Sequence, residues 1–142
     1  MPGTKIFLDT NVIIYAYDVS AGVKREKAQK ILRDLWESGQ GLLSTQVLQE
    51  FFVTVTRKIP QSLELRTAKQ IVNDLLSWDI VINDGDSILE AIELHLNHKY
   101  SFWDSLIIQA AIKGGASLLL SEDLSGGPNI KGITIKNPFN QT

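Results

Sequence analysis

Cysteine is absent from this chain. Disulfides, thiolate nucleophiles and cysteine-ligated zinc are therefore excluded, and a reducing, cytoplasmic setting is expected. Histidine is scarce. His95 and His98 stand three apart, a spacing that can hold a metal on a helix, but no acidic motif accompanies them. His95 also falls in register with Ile88, Ala91 and Ile92, so a structural role is expected. Long apolar runs are missing. Nothing approaches the roughly 18 residues needed to cross a bilayer, and MPGTKIFLDT contains no extended apolar stretch of a secretory signal. No membrane association is expected. An excess of positive charge is missing too: 14 basic and 16 acidic side chains leave a net charge of -2. That excludes a broadly basic nucleic-acid binder, so any such contact must be local or must use a metal to offset carboxylates. Neither a Gly-rich phosphate loop nor G-x-S-x-G occurs, which removes the corresponding nucleotide and serine-hydrolase chemistries.

The remaining composition is that of an ordinary globular protein. With 142 residues, 44% apolar and 21% charged, the chain is expected to bury a core as one domain spanning residues 1–142. KIFL at Lys5–Leu8 predicts a buried strand, and Asp9, Thr10 and Asn11 are candidate caps for a short helix over VIIYAY. Val23–Glu37 predicts an amphipathic helix with Ala28, Ile31, Leu32, Leu35 and Trp36 on its apolar side. After the Gly39-Gln-Gly41 break come a strand at Leu42–Ser44 and a helix carrying Val47, Leu48, Phe51, Phe52 and Val55, ended by Pro60. Ser62 is expected to open the next helix. A strand at Ile80–Ile82 precedes a helix capped by Asp86 or Ser87, with Ser87 and Glu90 as a capping box. Ser101 and Asp104 open a helix that runs to Gly114-Gly115. Further strands are expected at Ser117–Leu120 and, beyond a Gly-Pro loop at Gly126–Pro128, at Ile133–Ile135. Short apolar strands alternating with helices predict an α/β fold: three layers, α/β/α, around a mostly parallel sheet of about five strands.

Open α/β sheets bind ligands beyond the carboxyl ends of their strands. Asp9 follows the first predicted strand, and Glu122 and Asp123 follow the fourth, just past Ser121. Asp84 and Asp86 also follow a strand, so the rule nominates them equally. Asp104 lies in the first turn of a helix, and Glu50 lies within one. Gathered carboxylates repel one another and force a proton onto one of them unless a cation intervenes. Hard oxygen ligands suit Mg²⁺ or Mn²⁺, and such an ion supports phosphodiester hydrolysis. Each acid also has a plainer reading. Asp9 and Asp104 serve equally as helix caps, Asp123 as a turn residue, and Glu50 as a solvated surface acid.

Taken together, FLDTNV, LSTQVLQEF, SFWDSLIIQAA and LLSEDL resemble, in order, the four acidic motifs of the PIN-domain ribonucleases. They are most similar to the bacterial toxin members of the VapC type, and the resemblance covers nearly the whole chain. It implies that Asp9, Glu50, Asp104 and Asp123 are catalytic acids and metal ligands. It further implies that Asn11 orients the cluster and that Ser121 hydrogen-bonds within it. Glu122 stays open as an acid that assists or replaces Asp123. The implied activity is Mg²⁺- or Mn²⁺-dependent cleavage of RNA by metal-assisted hydrolysis. The implied sheet sets the first and fourth strands side by side and leaves Asp84 and Asp86 remote, as caps. Toxin members pair with a cognate antitoxin and commonly form homodimers, so both partners are expected, with exposed apolar residues of the early helices as interface.

Several features outside those motifs also need a reading. Lys24, Arg25, Lys27, Lys30 and Arg33 form either a phosphate-contacting face or a solvated helix face, since Glu26 and Asp34 lie among them. Arg57 and Lys58 sit at a helix C-terminus, where they meet the dipole favourably. Tyr15 and Tyr17 are expected in packing rather than in base stacking. Two rival functions are a haloacid-dehalogenase-like phosphatase and a non-catalytic binding domain of the same fold. The first places a second Asp where this chain has Asn11.

Overall fold

A computed structural model describes residues 4–124 and 129–140. The Gly126–Pro128 loop expected from sequence lies outside these residues. The chain mixes strands and helices along its length. Strand β1 (Lys5–Leu8) leads into helix α1 (Thr10–Tyr17), a 3-10 turn at Val19–Ala21 and helix α2 (Val23–Ser38). Next come β2 (Gly41–Ser44), α3 (Thr45–Arg57), α4 (Leu65–Leu75) and β3 (Asp79–Val81). Helices α5 (Gly85–Asn97) and α6 (Phe102–Lys113) then precede β4 (Ala116–Leu120), β5 (Asn129–Ile130) and β6 (Ile133–Lys136).

The sheet has six strands in the order β3-β2-β1-β4-β6-β5. All neighbours are parallel except β5 and β6. The sixth strand is the addition to the expected five. It forms a hairpin on β6 through Lys131 and Gly132, whose φ values of 49° and 87° are the paired left-handed conformations of a two-residue turn. From β1 the chain steps outward to β2 and β3, then crosses back to β4. Right-handed crossovers therefore put α1–α4 on one face and α5–α6 on the other. The packing agrees: α6 contacts β2, β3 and β4, whereas α1 packs on α2 and α3. Covered on both sides, the central strands are largely apolar, with Phe7, Leu8, Leu43 and Leu119 fully buried.

Two helix starts differ from expectation. Helix α5 is capped by Asp84, whose carboxylate accepts from the Ser87 amide at 3.0 Å while the Asp84 amide donates to the Ser87 hydroxyl at 3.1 Å. Asp84 wins over Asp86 and Ser87 because only it is extended and only it has a hydroxyl at the third helical position to answer it. Ser62 does not open α4. Its hydroxyl donates to the Ile59 carbonyl at 3.3 Å, and the helix starts after Glu64. Trp36 is not sealed in the core: it is 49% exposed and meets Trp78 edge-on at 5.6 Å.

Candidate active site

Strands β1 and β4 are adjacent, and the chain leaves them in different directions, so their carboxyl ends flank the switch point of the sheet. Asp9 is the first residue beyond β1. Its extended backbone lets it cap α1: Oδ1 accepts from the Thr10 amide at 2.7 Å. Its other oxygen accepts from the Ser121 hydroxyl at 2.7 Å. The cap and the site acid are thus the same carboxylate, and the two sequence readings of Asp9 do not compete. Asp9 is only 8% exposed. Burial pushes its pKa up from 3.8 to about 6; the bonds from Ser121 and Thr10 oppose this, and the charges of Glu50 and Asp104 add to it.

Glu50 is brought in by α3, which starts on the Ser44 cap straight after β2. The Thr10 hydroxyl donates to its Oε1 at 2.6 Å and the Gln46 amide donates to its Oε2 at 3.2 Å. The isolated helix pattern leaves Glu50 off the apolar face, yet the site end of α1 meets it there. Asp104 stands in the first turn of α6, whose cap Ser101 accepts from the Asp104 amide at 3.1 Å. Burial raises the Asp104 carboxyl above its ordinary value, Ser101 opposes this, and Asp123 and Glu50 add repulsion.

Beyond β4, the Ser121 hydroxyl accepts from the amides of Asp123 and Leu124, at 3.2 and 3.1 Å, while donating to Asp9. Asn11 bridges the same segment: its amide donates to Asp123 at 3.1 Å, and its oxygen accepts from the Glu122 amide at 3.2 Å. Asp9, Asn11, Glu50, Asp104 and Asp123 consequently line one cleft of about 360 Å³, together with Gln46, Lys58 and Trp103. A larger concavity of about 690 Å³ lies between α2 and β6, but no acid lines it.

Glu122 points elsewhere. It accepts from the Tyr15 hydroxyl at 2.5 Å and is paired with Lys24. Burial opposes its charge, but those two partners outweigh burial and hold the carboxyl below its ordinary value. This ion pair also takes Lys24 out of the basic face expected on α2. Lys30 pairs with Asp34 at 2.8 Å, so two of the five basic side chains of that face are held in ion pairs. Tyr15 and Tyr17 pack edge-on against Phe139 and Phe51. His95 is exposed and contacts the Tyr100 carbonyl at 2.6 Å through Nδ1. Asp84 and Asp86 sit at the start of α5, beyond edge strand β3, away from the cleft.

Sequence reasoning missed Thr10, Gln46 and Trp103. Thr10 sits inside the DTN segment, but its bond crosses to a residue 40 positions away. Gln46 lies one helical turn before Glu50, a spacing at which side chains meet, and that was the available signal.

Acids gathered beyond two adjacent central strands of a parallel sheet define an α/β domain with an acidic cleft at its switch point. The family model for the PIN domain matches residues 6–125, and the chain belongs to that family, whose members are generally nucleases. Solved structures agree on the fold. The toxin VapC20 of Mycobacterium tuberculosis, described as cleaving the sarcin-ricin loop, is 21% identical with a TM-score of 0.63, over 81% of this chain and 87% of that one. A toxin-antitoxin complex from Klebsiella pneumoniae gives 18% identity and a TM-score of 0.70, over 97% and 100%. A DNA-bound VapBC from Salmonella typhimurium gives 18% and 0.68, over 96% and 99%. No curated protein sequence matches the chain.

Proposed function

We propose that this chain is a metal-dependent endoribonuclease and the toxin of a toxin–antitoxin pair. The observation that carries the reading is the convergence of four acids on one cleft at the switch point, with Asp9 raised to about 6. Among the described residues, no three acids form a ready-made coordination set. The donor chemistry nevertheless fits a hard divalent cation. The acids supply only oxygen, two of them ionise reluctantly through burial and mutual repulsion, and Lys58 is the one cationic side chain among the described residues of the cleft wall.

Asp9, Glu50, Asp104 and Asp123 would hold Mg²⁺ or Mn²⁺. When bound, the ion offsets their charge, stabilises charge developing on a phosphoryl group and eases deprotonation of water. The chain's own residues arrange the acids. Ser121 and the Thr10 amide fix both oxygens of Asp9, Thr10 and Gln46 fix Glu50, and Asn11 fixes Asp123. Lys58 faces the approaching phosphodiester. Membership of the PIN family displaces the dehalogenase-like phosphatase. Asn11, which stands where that enzyme has its second acid, is here spent on holding Asp123.

The test is cleavage of single-stranded RNA with Mn²⁺ or Mg²⁺, with and without chelator, beside Asp104→Asn. Cleavage is expected only for the wild type with metal. Equal cleavage in all arms marks a contaminating nuclease and sinks the assignment, and absence of Mn²⁺ binding by calorimetry favours a non-catalytic domain. The toxin reading follows the solved neighbours, which include toxin-antitoxin complexes. Expression of the wild type is expected to arrest growth of a bacterial host, and Asp104→Asn to relieve it. An antitoxin is expected to set an Arg against the acidic cleft.

A further inference from the structure

The acidic cleft poses a problem that its acids do not solve. A nucleic-acid strand brings one negative charge per phosphate to a wall of carboxylates, and only Lys58 offers an opposite charge there. Part of the hold on the strand must then come from something other than charge. Trp103 lies on that wall, yet it is 63% exposed. The other two tryptophans, Trp36 and Trp78, meet edge-on at 5.6 Å, and neither lines the cleft. Trp103 has a single aromatic contact, the edge of Phe102 at 5.2 Å and 75°, which props the indole without covering both of its faces.

Its backbone is held next to the acids. Asp104 is the next residue on the same helix turn. Gln46 reaches the Trp103 carbonyl at 3.4 Å and Glu50 at 3.2 Å through one amide nitrogen, so a single buried side chain ties the indole's backbone to the second acid. Both contacts of that nitrogen are acceptors, which settles the orientation of the amide. A large apolar ring left in water at the lip of an acidic cleft is costly unless something covers it. A nucleobase is the cover that suits this place: it is flat, uncharged on its face, and carried by the strand whose phosphate must reach the acids.

We infer that Trp103 is a stacking platform for one unpaired nucleobase of the RNA strand, placed beside the acidic cleft so that the adjoining phosphate falls to Asp104 and Glu50. The inference rests on the ribonuclease reading for its substrate, but not for its test. Stacking is tolerant of base identity because every base offers a π-face, and it demands an unpaired base. Trp103 therefore favours single-stranded over duplex RNA without setting a sequence.

Binding is read separately from cleavage. A fluorescein-labelled single-stranded RNA is titrated by anisotropy into full-length protein with chelator present, using wild type, Trp103→Phe, Trp103→Leu and a distant control, Trp36→Phe. Circular dichroism confirms that each variant folds. Trp103→Phe and the control are expected to stay within about threefold of wild type, and Trp103→Leu to weaken binding about tenfold to a hundredfold. Unlabelled single strand is expected to compete and perfect duplex to compete poorly. Equal affinity of Trp103→Leu and Trp103→Phe, equal competition by duplex, or no RNA binding by wild type overturns the platform. If binding follows the aromatic ring while Mn²⁺ produces no cleavage, the platform stands and the ribonuclease reading fails.

Discussion

Asp9 carries two duties at once, and they pull against each other. As a cap it must be extended and close to the Thr10 amide, which buries it; in the proposed role of metal ligand it must ionise, which burial resists. Its folded pKa of about 6 lies above the 3.8 of an unperturbed carboxyl. Between those values the folded state keeps a proton that the unfolded chain has lost, so this group's contribution to stability falls as pH rises through the window. The loss is complete above the folded value and amounts to roughly 2–3 kcal/mol at most. Asp9→Asn has no such charge. In chelator, its melting temperature relative to wild type is expected to climb between about pH 4 and about pH 6 and then level off. A flat difference across that range, measured by differential scanning calorimetry, would show that Asp9 ionises as in water. Glu122 was the open question beside Asp123, and the contacts separate them: Asp123 faces the cleft through Asn11, whereas Glu122 anchors the same segment to Tyr15 and Lys24.

Helices and strands carry the site by their ends, and the ends depend on close packing behind them. Helix α6 stops at Gly114, where a Cβ would lie 2.4 Å from Leu42 Cδ2 and 2.9 Å from Val81 Cγ2. Both neighbours sit on strands of the sheet, so there is little room to yield. Gly114→Ala is expected to lower stability by about 1–3 kcal/mol, read from urea denaturation, with the acids themselves untouched. An unchanged midpoint would mean that α6 slides freely on the sheet. The apolar runs of β1, β2 and β4 and the periodicity of α2, α3 and α6 made most elements legible, because burial on both faces leaves no other composition available. Strand β6 was legible at Ile133–Ile135, but β5 and the hairpin that joins them were not. Its turn puts Lys131, not Asn or Gly, at a positive φ, and a two-residue strand has no pattern to show. Asp9 and Asp123 were legible as strand ends. Glu50 and Asp104 were legible as site acids only through the family resemblance: the Thr10 bond that holds Glu50 crosses 40 positions, and the local Ser101 cap marks Asp104 as a helix-start residue, not as a neighbour of the other acids.

At the scale of the whole molecule, one helix leaves an apolar face uncovered. Ile88, Leu89, Ile92 and Leu96 fall within one arc of α5 and are 39% to 70% exposed, while Ala91 and Leu94 face inward. The expected interface on the early helices is thus matched by a broader apolar face on a later one. If this face joins two copies, Leu89→Glu should leave the monomer folded, since Leu89 is 64% exposed, and should shift sedimentation from dimer to monomer. An unchanged sedimentation coefficient would rule this face out as the interface.

The bonds that complete the cleft, Ser121 to Asp9 and Asn11 to Asp123, each span 112 positions of chain. During synthesis, Asp9 emerges from the ribosome long before the hydroxyl that orients it and the acid that faces it. A nascent chain that has not yet delivered β4 has neither. The geometry of the acidic cleft is therefore completed only after Ser121 and Asp123 have emerged from the ribosome.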